Sequence, residues 1–187
     1  MDPQVKPLAA GTTLCGPAVT VRIAPPDGSA IYYAIDVATP GDVLVVDTGG
    51  DLQHACWGDG TSTAARVRGI QGVIIDGAAT DVQAVRAMQF PVFCRTVSAL
   101  TTKALHLTGE VNAPIRCGGV SVAPGDLILA DENGVVVVSP GECEHLVTLA
   151  EAFERDEQAL HQQIASGESL VGLSRMMGRG RKGDEGG

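Results

Sequence analysis

The chain has 187 residues, of which 44% are hydrophobic but only 3% aromatic, and its formal net charge is −9. That length suits one domain, and the aliphatic balance means a core built from Val, Ile, Leu and Ala. The acidity argues against a nucleic-acid binder, which needs a basic face to displace counterions, but leaves room for small anionic substrates at a local site.

In chain order, short apolar runs bounded by Gly, Pro and Asp recur at 17–23, 42–46, 72–75, 91–94, 119–122, 126–130 and 135–138. Their length and β-branched content predict strands. Helix-like stretches lie at 29–37, 61–67 and 81–88. Strands interleaved with helices predict an α/β layered domain. Pro40-Gly41-Asp42 followed by Val43-Leu44-Val45-Val46-Asp47 is echoed by Pro124-Gly125-Asp126 followed by Leu127-Ile128-Leu129-Ala130-Asp131. Each copy reads as a turn, a buried strand and a closing Asp.

The last predicted element is a helix over about 142–165, with Leu146, Leu149, Phe153, Leu160 and Ile164 near one stripe. It would run about 35 Å, against a radius of gyration of roughly 16 Å for a compact chain this size. Such a helix is expected to project and pack on a neighbouring subunit. The domain is expected over 1–170, with a flexible tail over 171–187 in which GRGRKGDEGG has nothing to bury. No run is apolar and long enough to span a bilayer, and no signal-peptide pattern opens the chain, so a soluble, cytoplasmic protein is expected. Cys15, Cys56, Cys94, Cys117 and Cys143 are scattered without a C-x-x-C pair and read as reduced, mostly packed thiols.

The informative stretch is WGDGTSTAARVRGIQGVIIDGAATD, over 57–81. Gly58-Asp59-Gly60-Thr61 reads as a loop entering a helix, either an ordinary capped start or a cradle whose backbone N–H groups hold a carboxylate. Asp76-Gly77 is expected to end a strand, and Thr80-Asp81 to open the next helix. Asp59 and Asp81 then fall at loop ends able to share one sheet edge. Carboxylates with room for water suit Mg²⁺, although Asp81 also reads as a first-turn acid favoured by the helix dipole. Thr80-x-x-Gln83 has the pattern of a capping box. Trp57 reads equally as pocket wall or loop anchor. His54, His106, His145 and His161 lack metal-ligand spacing, and Ser62 and Ser98 lack a nucleophile elbow.

The pieces KPL, GPAVTV, AIDVATPGDVLVVD, WGD, RGI, GVIIDG, FPVF and VNAPIRCGGVSVAPGDLILADENGVVVV, spread over 6–140, resemble the RraA-like family that includes the metal-dependent 4-hydroxy-4-methyl-2-oxoglutarate aldolases. The resemblance implies an α/β fold with a layered β/β/α, swivelling-domain-like arrangement and a long C-terminal helix. It also implies a homotrimer or dimer of trimers, with sites between subunits, and a small 2-oxo acid as substrate. The aldolase motif is Asp, twenty residues, Arg-Asp, two residues, then Glu or Asp. Counted here, Asp59 and Asp81 match, as water-mediated and direct ligands of Mg²⁺ or Mn²⁺, with Glu157 as a third, water-mediated ligand. Gly58, Gly60 and Thr61 would face the substrate carboxylate. Thr80 stands where the arginine that grips the pyruvate moiety would be, and Ala84 where the later acid would be. Arg95 and Lys103 are the nearby cations considered as substitutes. The implied activity is retro-aldol cleavage and oxaloacetate decarboxylation through a shared pyruvate enolate, with Asp59 and Thr80 as catalytic candidates. The alternatives are a family regulator that binds a ribonuclease or other protein without catalysis, and a lyase acting on another oxo acid.

Overall fold

The computed structural model describes residues 1–174. The chain divides into two units, Met1–Pro140 and the remainder from Gly141. The first unit holds β1 (Lys6–Pro7), β2 (Leu14–Arg22), α1 (Ser29–Val37), β3 (Val43–Asp47), β4 (Ala55–Trp57), α2 (Asp59–Val67), β5 (Gly72–Ala79), α3 (Val82–Met88), β6 (Val92–Val97), β7 (Glu110–Val111), β8 (Ile115–Cys117), β9 (Val120–Val122), β10 (Leu127–Ala130) and β11 (Val135–Val138).

The main sheet has the order β1-β6-β5-β3-β2-β10-β11, with β4 added to β5 and β7 to β2. Its centre, β6-β5-β3-β2, is parallel, while β1, β10 and β11 join antiparallel. Strand alternation divides the interior in two. Leu44 and Val46 of β3 point into a cluster shared with Ile31, Ile35, Ala65 and Val85 from the helices. Val43 and Val45 point the other way, toward Ile115, Cys117 and Val122 of the separate β8-β9 hairpin. Period-two alternation of apolar residues with both faces covered explains why these strands read as continuous hydrophobic runs. The result is the β/β/α layering expected from the resemblance.

The sequence echo is also a structural one. β3 and β10 both flank β2, one parallel and one antiparallel. Their entry turns place Gly41 at φ 100° and Gly125 at φ 85°, a region where a Cβ is disfavoured. In each turn the Asp side chain accepts the backbone N–H three residues back, Thr39 to Asp42 and Ala123 to Asp126.

Two local expectations are corrected. Asp76-Gly77 does not end β5; the strand continues to Ala79, with a register shift between Ile75 and Ala78. The polar pair is tolerated because it is bonded: Thr48 Oγ1 donates to the Asp76 carbonyl at 2.8 Å, and the Asp76 carboxylate takes Arg95 and the Gly118 N–H. The helix expected from Thr61 begins at Asp59, because the Gly58 carbonyl already accepts the Ser62 N–H at 3.0 Å.

The second unit carries α4 (Cys143–Ala165), 23 residues long, after a 3₁₀ turn over Pro140–Glu142. No side chain along α4 is buried, and Leu146, Leu149, Phe153 and Ile164 of the predicted stripe are exposed. No helix among the described residues is long and apolar enough to cross a membrane. The expected flexible tail falls largely on residues 175–187, outside the described residues.

Candidate active site

A cavity of about 510 Å³ opens where the C-terminal ends of parallel strands meet helix starts. This is where open α/β sheets place ligands. Its wall takes Tyr32, Ile35 and Asp36 from α1, Ala55, Cys56 and Trp57 from β4, and Gly58, Gly60, Thr61 and Ala64 from the entry and body of α2. Thr80 and Asp81, between β5 and α3, and Thr101 and Thr102, after β6, complete it. The sequence-predicted Gly58, Gly60, Thr61, Thr80 and Asp81 thus converge on one cavity.

The pairing of β4 with β5 performs the convergence. Trp57 sits opposite Ala79, and the Thr80 N–H donates to the Trp57 carbonyl at 2.8 Å. The two chain segments that leave this pair carry Gly58-Asp59 and Thr80-Asp81. They meet again one residue on, where the Asp59 N–H donates to Asp81 Oδ2 at 3.1 Å. A Cβ on Gly58 would lie 2.3 Å from Asp81 Oδ2 and 2.9 Å from Thr80 Cγ2. Only glycine leaves that carboxylate its position.

Asp81 is the N-cap of α3 with φ 53° and ψ 37°, a left-handed conformation that Asp tolerates better than most residues. Its side chain does not cap α3, and Thr80 does not either, so the Thr80-x-x-Gln83 capping box does not form. Both side chains belong to the cavity instead. Thr61 Oγ1 accepts the Gly58 N–H at 2.9 Å and donates to the Gly58 carbonyl at 3.0 Å. The N–H groups of Gly60 and Thr61 remain first-turn donors that no residue of the helix can satisfy. Of the predicted cradle, these two N–H groups are the ones left to face a carboxylate.

Trp57 is 1% exposed, with Nε1 donating to Ser62 Oγ at 2.8 Å and its ring stacked on Phe90. Ser62 Oγ passes the chain on to the Gly58 carbonyl at 2.8 Å. Trp57 is therefore both anchor and back wall. Burial pushes the Cys56 thiol up to about 12, so this cavity residue stays protonated and is no nucleophile.

Asp59 is exposed and lies outside the lining, and its backbone N–H, rather than its carboxylate, makes the contact with Asp81. No cluster of three or more His, Cys, Asp or Glu able to hold a metal occurs among the described residues. Two acids with open solvent beside them fit Mg²⁺ or Mn²⁺, since Mg²⁺ usually keeps several waters. Glu157 stands exposed on α4 in the second unit. Ala84 lies on α3, outside the lining.

Arg95 does not stand in for a cavity arginine. Its guanidinium is committed to Asp76, to Asp2 at 2.8 Å and to Gln4 at 3.2 Å. Lys103 lies outside the lining too. His54 is held by Asp51 at 3.0 Å and His106 by Tyr33 at 3.0 Å, in keeping with structural roles. Sequence reasoning missed Tyr32, Asp36, Thr101 and Thr102. The adjacent Tyr32 and Tyr33, both largely exposed in a chain with 3% aromatics, were the available signal for the α1 wall.

The family model described as RraA-like, Aldolase/RraA, matches residues 1–137. The chain belongs to the RraA-like family. It is 39% identical over 161 residues to a Halalkalibacterium halodurans protein named "Putative 4-hydroxy-4-methyl-2-oxoglutarate aldolase", covering 86% of this chain and 76% of that one. Among solved structures, an uncharacterized protein from Pseudomonas syringae pv. tomato superposes with a TM-score of 0.83 at 32% identity, over 94% of this chain and 81% of its own. The RNA-processing inhibitor RraA from Thermus thermophilis gives 0.68 at 27% identity, over 74% and 84%. The RraA-like fold therefore hosts proteins named for two different roles, and the site must choose between them.

Proposed function

We propose that this RraA-like protein is a divalent-metal-dependent lyase that releases pyruvate from 4-hydroxy-2-oxo acids, the class to which 4-hydroxy-4-methyl-2-oxoglutarate belongs, and that it decarboxylates oxaloacetate by related chemistry. The observation that carries this reading is the convergence of Gly60, Thr61, Thr80 and Asp81 on one cavity, with the backbone N–H of the neighbouring Asp59 bonded to the Asp81 carboxylate. Asp81 directly, and Asp59 and a neighbouring copy's Glu157 through water, would hold Mg²⁺ or Mn²⁺. The metal would supply Lewis-acid polarisation of the 2-oxo group and offset negative charge on the pyruvate fragment.

The chain's own groups do the rest. The Gly60 and Thr61 N–H groups, at a helix N-terminus, bind the C1 carboxylate. Thr80 Oγ1 donates to the pyruvate moiety. A water held by the exposed Asp59 carboxylate takes the proton of the C4 hydroxyl. The O–H electron pair becomes the C4 carbonyl, the C3–C4 bond breaks, and its pair passes to the pyruvate fragment, whose C3 is then protonated. In oxaloacetate the bond to the departing carboxylate breaks instead, giving pyruvate and carbon dioxide.

A second reading, a non-catalytic regulator that binds a ribonuclease or another protein, is favoured by Thr80 at the arginine position and by the likeness to the Thermus RraA. One experiment separates the two. Pyruvate release is followed from 4-hydroxy-4-methyl-2-oxoglutarate, 4-hydroxy-2-oxopentanoate and oxaloacetate, with Mg²⁺ or Mn²⁺, with chelator, and with Asp81→Ala as the blank. Metal-dependent turnover lost in Asp81→Ala supports the lyase. No turnover above free metal on any of the three overturns it and leaves the binding role.

A further inference from the structure

Trp57 holds the Asp81 segment twice. Its carbonyl accepts the Thr80 N–H at 2.8 Å, and its indole begins a series of bonds that ends on the Asp81 carboxylate. Nε1 donates to Ser62 Oγ at 2.8 Å, and Ser62 Oγ donates to the Gly58 carbonyl at 2.8 Å. With the indole N–H on one lone pair, the single hydroxyl proton of Ser62 is turned toward Gly58. The Gly58 carbonyl and the Asp59 N–H belong to one planar peptide unit, so a hold on the oxygen also sets where the N–H points. It points at Asp81 Oδ2, 3.1 Å away.

The Gly58 carbonyl receives more than a helix start requires. An N-cap carbonyl takes the first intrahelical bond, here from the Ser62 N–H at 3.0 Å. Two hydroxyls are added to it, Ser62 Oγ and, at 3.0 Å, Thr61 Oγ1. Serine back-bonding of this kind slightly destabilises a helix, so helix stability does not account for it. Donors on a peptide oxygen polarise the unit and strengthen the N–H at its other end. Gly58 has no side chain to fix this peptide, and a Cβ there would meet Asp81 Oδ2 at 2.3 Å. Ser62 and Trp57 supply the hold from a rigid place, 0% and 1% exposed, with the indole stacked on Phe90. Ser62 is not a lining residue, so it reaches the site only through the peptide.

We infer that Ser62, anchored by the Trp57 indole, is a positioning residue for the Asp81 carboxylate and acts through the Gly58–Asp59 peptide. The inference rests on the reading that Asp81 holds the divalent metal, but it is read from metal binding and needs no turnover. Metal-ligating carboxylates are themselves hydrogen-bonded, and loss of such an outer partner typically costs about 10- to 100-fold in affinity.

The test uses the full chain. Ser62→Ala should weaken Mn²⁺ binding in calorimetry by about tenfold or more. The variant also strips the buried indole N–H of its acceptor and lowers the melting temperature, so Ile128→Ala serves as the control for lost stability. That truncation in the other core cluster should melt early and keep Mn²⁺ affinity within about twofold. The chain has one tryptophan, so its indole N–H gives a single nuclear magnetic resonance signal. Mg²⁺ should move that signal in the wild type and move it much less in Ser62→Ala, where the series of bonds is cut. Wild-type Mn²⁺ affinity in Ser62→Ala overturns the inference, and so does an indole signal that Mg²⁺ leaves in place or moves equally in both proteins. If Ser62→Ala does not fold, the wild-type signal decides, moved in support or unmoved against. Mn²⁺ binding that is absent, or unchanged in Asp81→Asn, removes the metal reading and the inference with it. Binding that depends on both Asp81 and Ser62 without pyruvate release supports the inference and overturns the lyase reading alone.

Discussion

The backbone N–H of Asp59 donates to Asp81 Oδ2 at 3.1 Å, closing a contact between two acids 22 positions apart. The bond fixes one carboxylate oxygen with a neutral donor, so the charge of Asp81 remains available at the cavity. It also ties the start of α2 to the start of α3 in the place where parallel strands end.

Asp81→Asn follows from that geometry. Asn tolerates the left-handed backbone at φ 53° as Asp does, and its amide oxygen can still accept the Asp59 N–H. The melting temperature should stay within a degree or two of wild type. Metal-dependent pyruvate release should fall on the order of 10²-fold or more, because a carboxylate ligand has become a neutral amide. Calorimetric titration with Mn²⁺ should show weakened binding in parallel. Unchanged Mn²⁺ affinity would remove Asp81 from the ligand set.

Gly58→Ala probes the same contact from the other side. The added methyl would meet Asp81 Oδ2 at 2.3 Å, and a side-chain carboxylate can swing away more cheaply than backbone can. The fold should therefore survive while the carboxylate is displaced. A shift of about 1 Å in a positioned group can cost on the order of 10²-fold in rate. Steady-state kinetics beside a thermal melt reads both effects. A large loss of stability with kcat unchanged in the folded fraction would show that Gly58 serves packing alone.

Much of this was legible in the sequence. β2, β3, β5, β6, β10 and β11 were legible as apolar runs, those of β3 and β5 buried on both faces, and the paired Pro-Gly-Asp turns marked the entries of β3 and β10, whereas the short β1, β4 and β7 were not read as strands. Asp59 and Asp81 were placed by spacing and resemblance, and the β4-β5 pairing then joined them. The end of β5 was misjudged because Asp76 and Gly77 look like a turn, whereas Arg95, Gly118 and Thr48 bond them in place from elements remote in sequence. Thr80-x-x-Gln83 suggested a cap for the same local reason, and the Trp57 carbonyl takes the Thr80 N–H instead. Thr101 and Thr102 carried no local pattern at all. They reach the wall through the long-range Thr102 N–H to Ala55 carbonyl bond.

Cysteine labelling tests the wall's dryness. Burial pushes Cys56 up to about 12 and Cys94 up to about 11, and Cys117 is raised by burial as well, whereas Cys15 is exposed. Thiolate is the reactive form, so iodoacetamide in mildly alkaline buffer should modify Cys15 readily and leave Cys56, Cys94 and Cys117 intact until the protein is denatured. Peptide mass spectrometry reads the sites. Rapid native modification of Cys56 would mean that water enters behind the cavity wall.

Asp27 gives the acid-stability prediction. It is 3% exposed, and its carboxylate accepts the Ser29 N–H and Oγ at 3.0 and 2.5 Å, and the N–H groups of Leu105, Leu107 and Thr108 at 3.2, 2.8 and 3.0 Å. These bonds, led by the Ser29 hydroxyl, hold its pKa well below the ordinary carboxylate range against the opposing effect of burial. A carboxylate depressed in the folded state adds stability that is fully present above the unfolded pKa near about 4. That stability drains away as pH falls from there toward the folded value. Asp27→Asn should therefore lower the melting temperature at neutral pH, since an amide cannot accept all five donors, and should flatten the decline below about pH 4. The loss should reach the cavity, because Asp27 joins the start of α1, which carries Tyr32 and Asp36, to the segment that follows Thr101 and Thr102. Thermal melts across the acid range, compared between wild type and variant, check the sign. Parallel curves that differ only by a constant offset would show that Asp27 contributes packing without its charge.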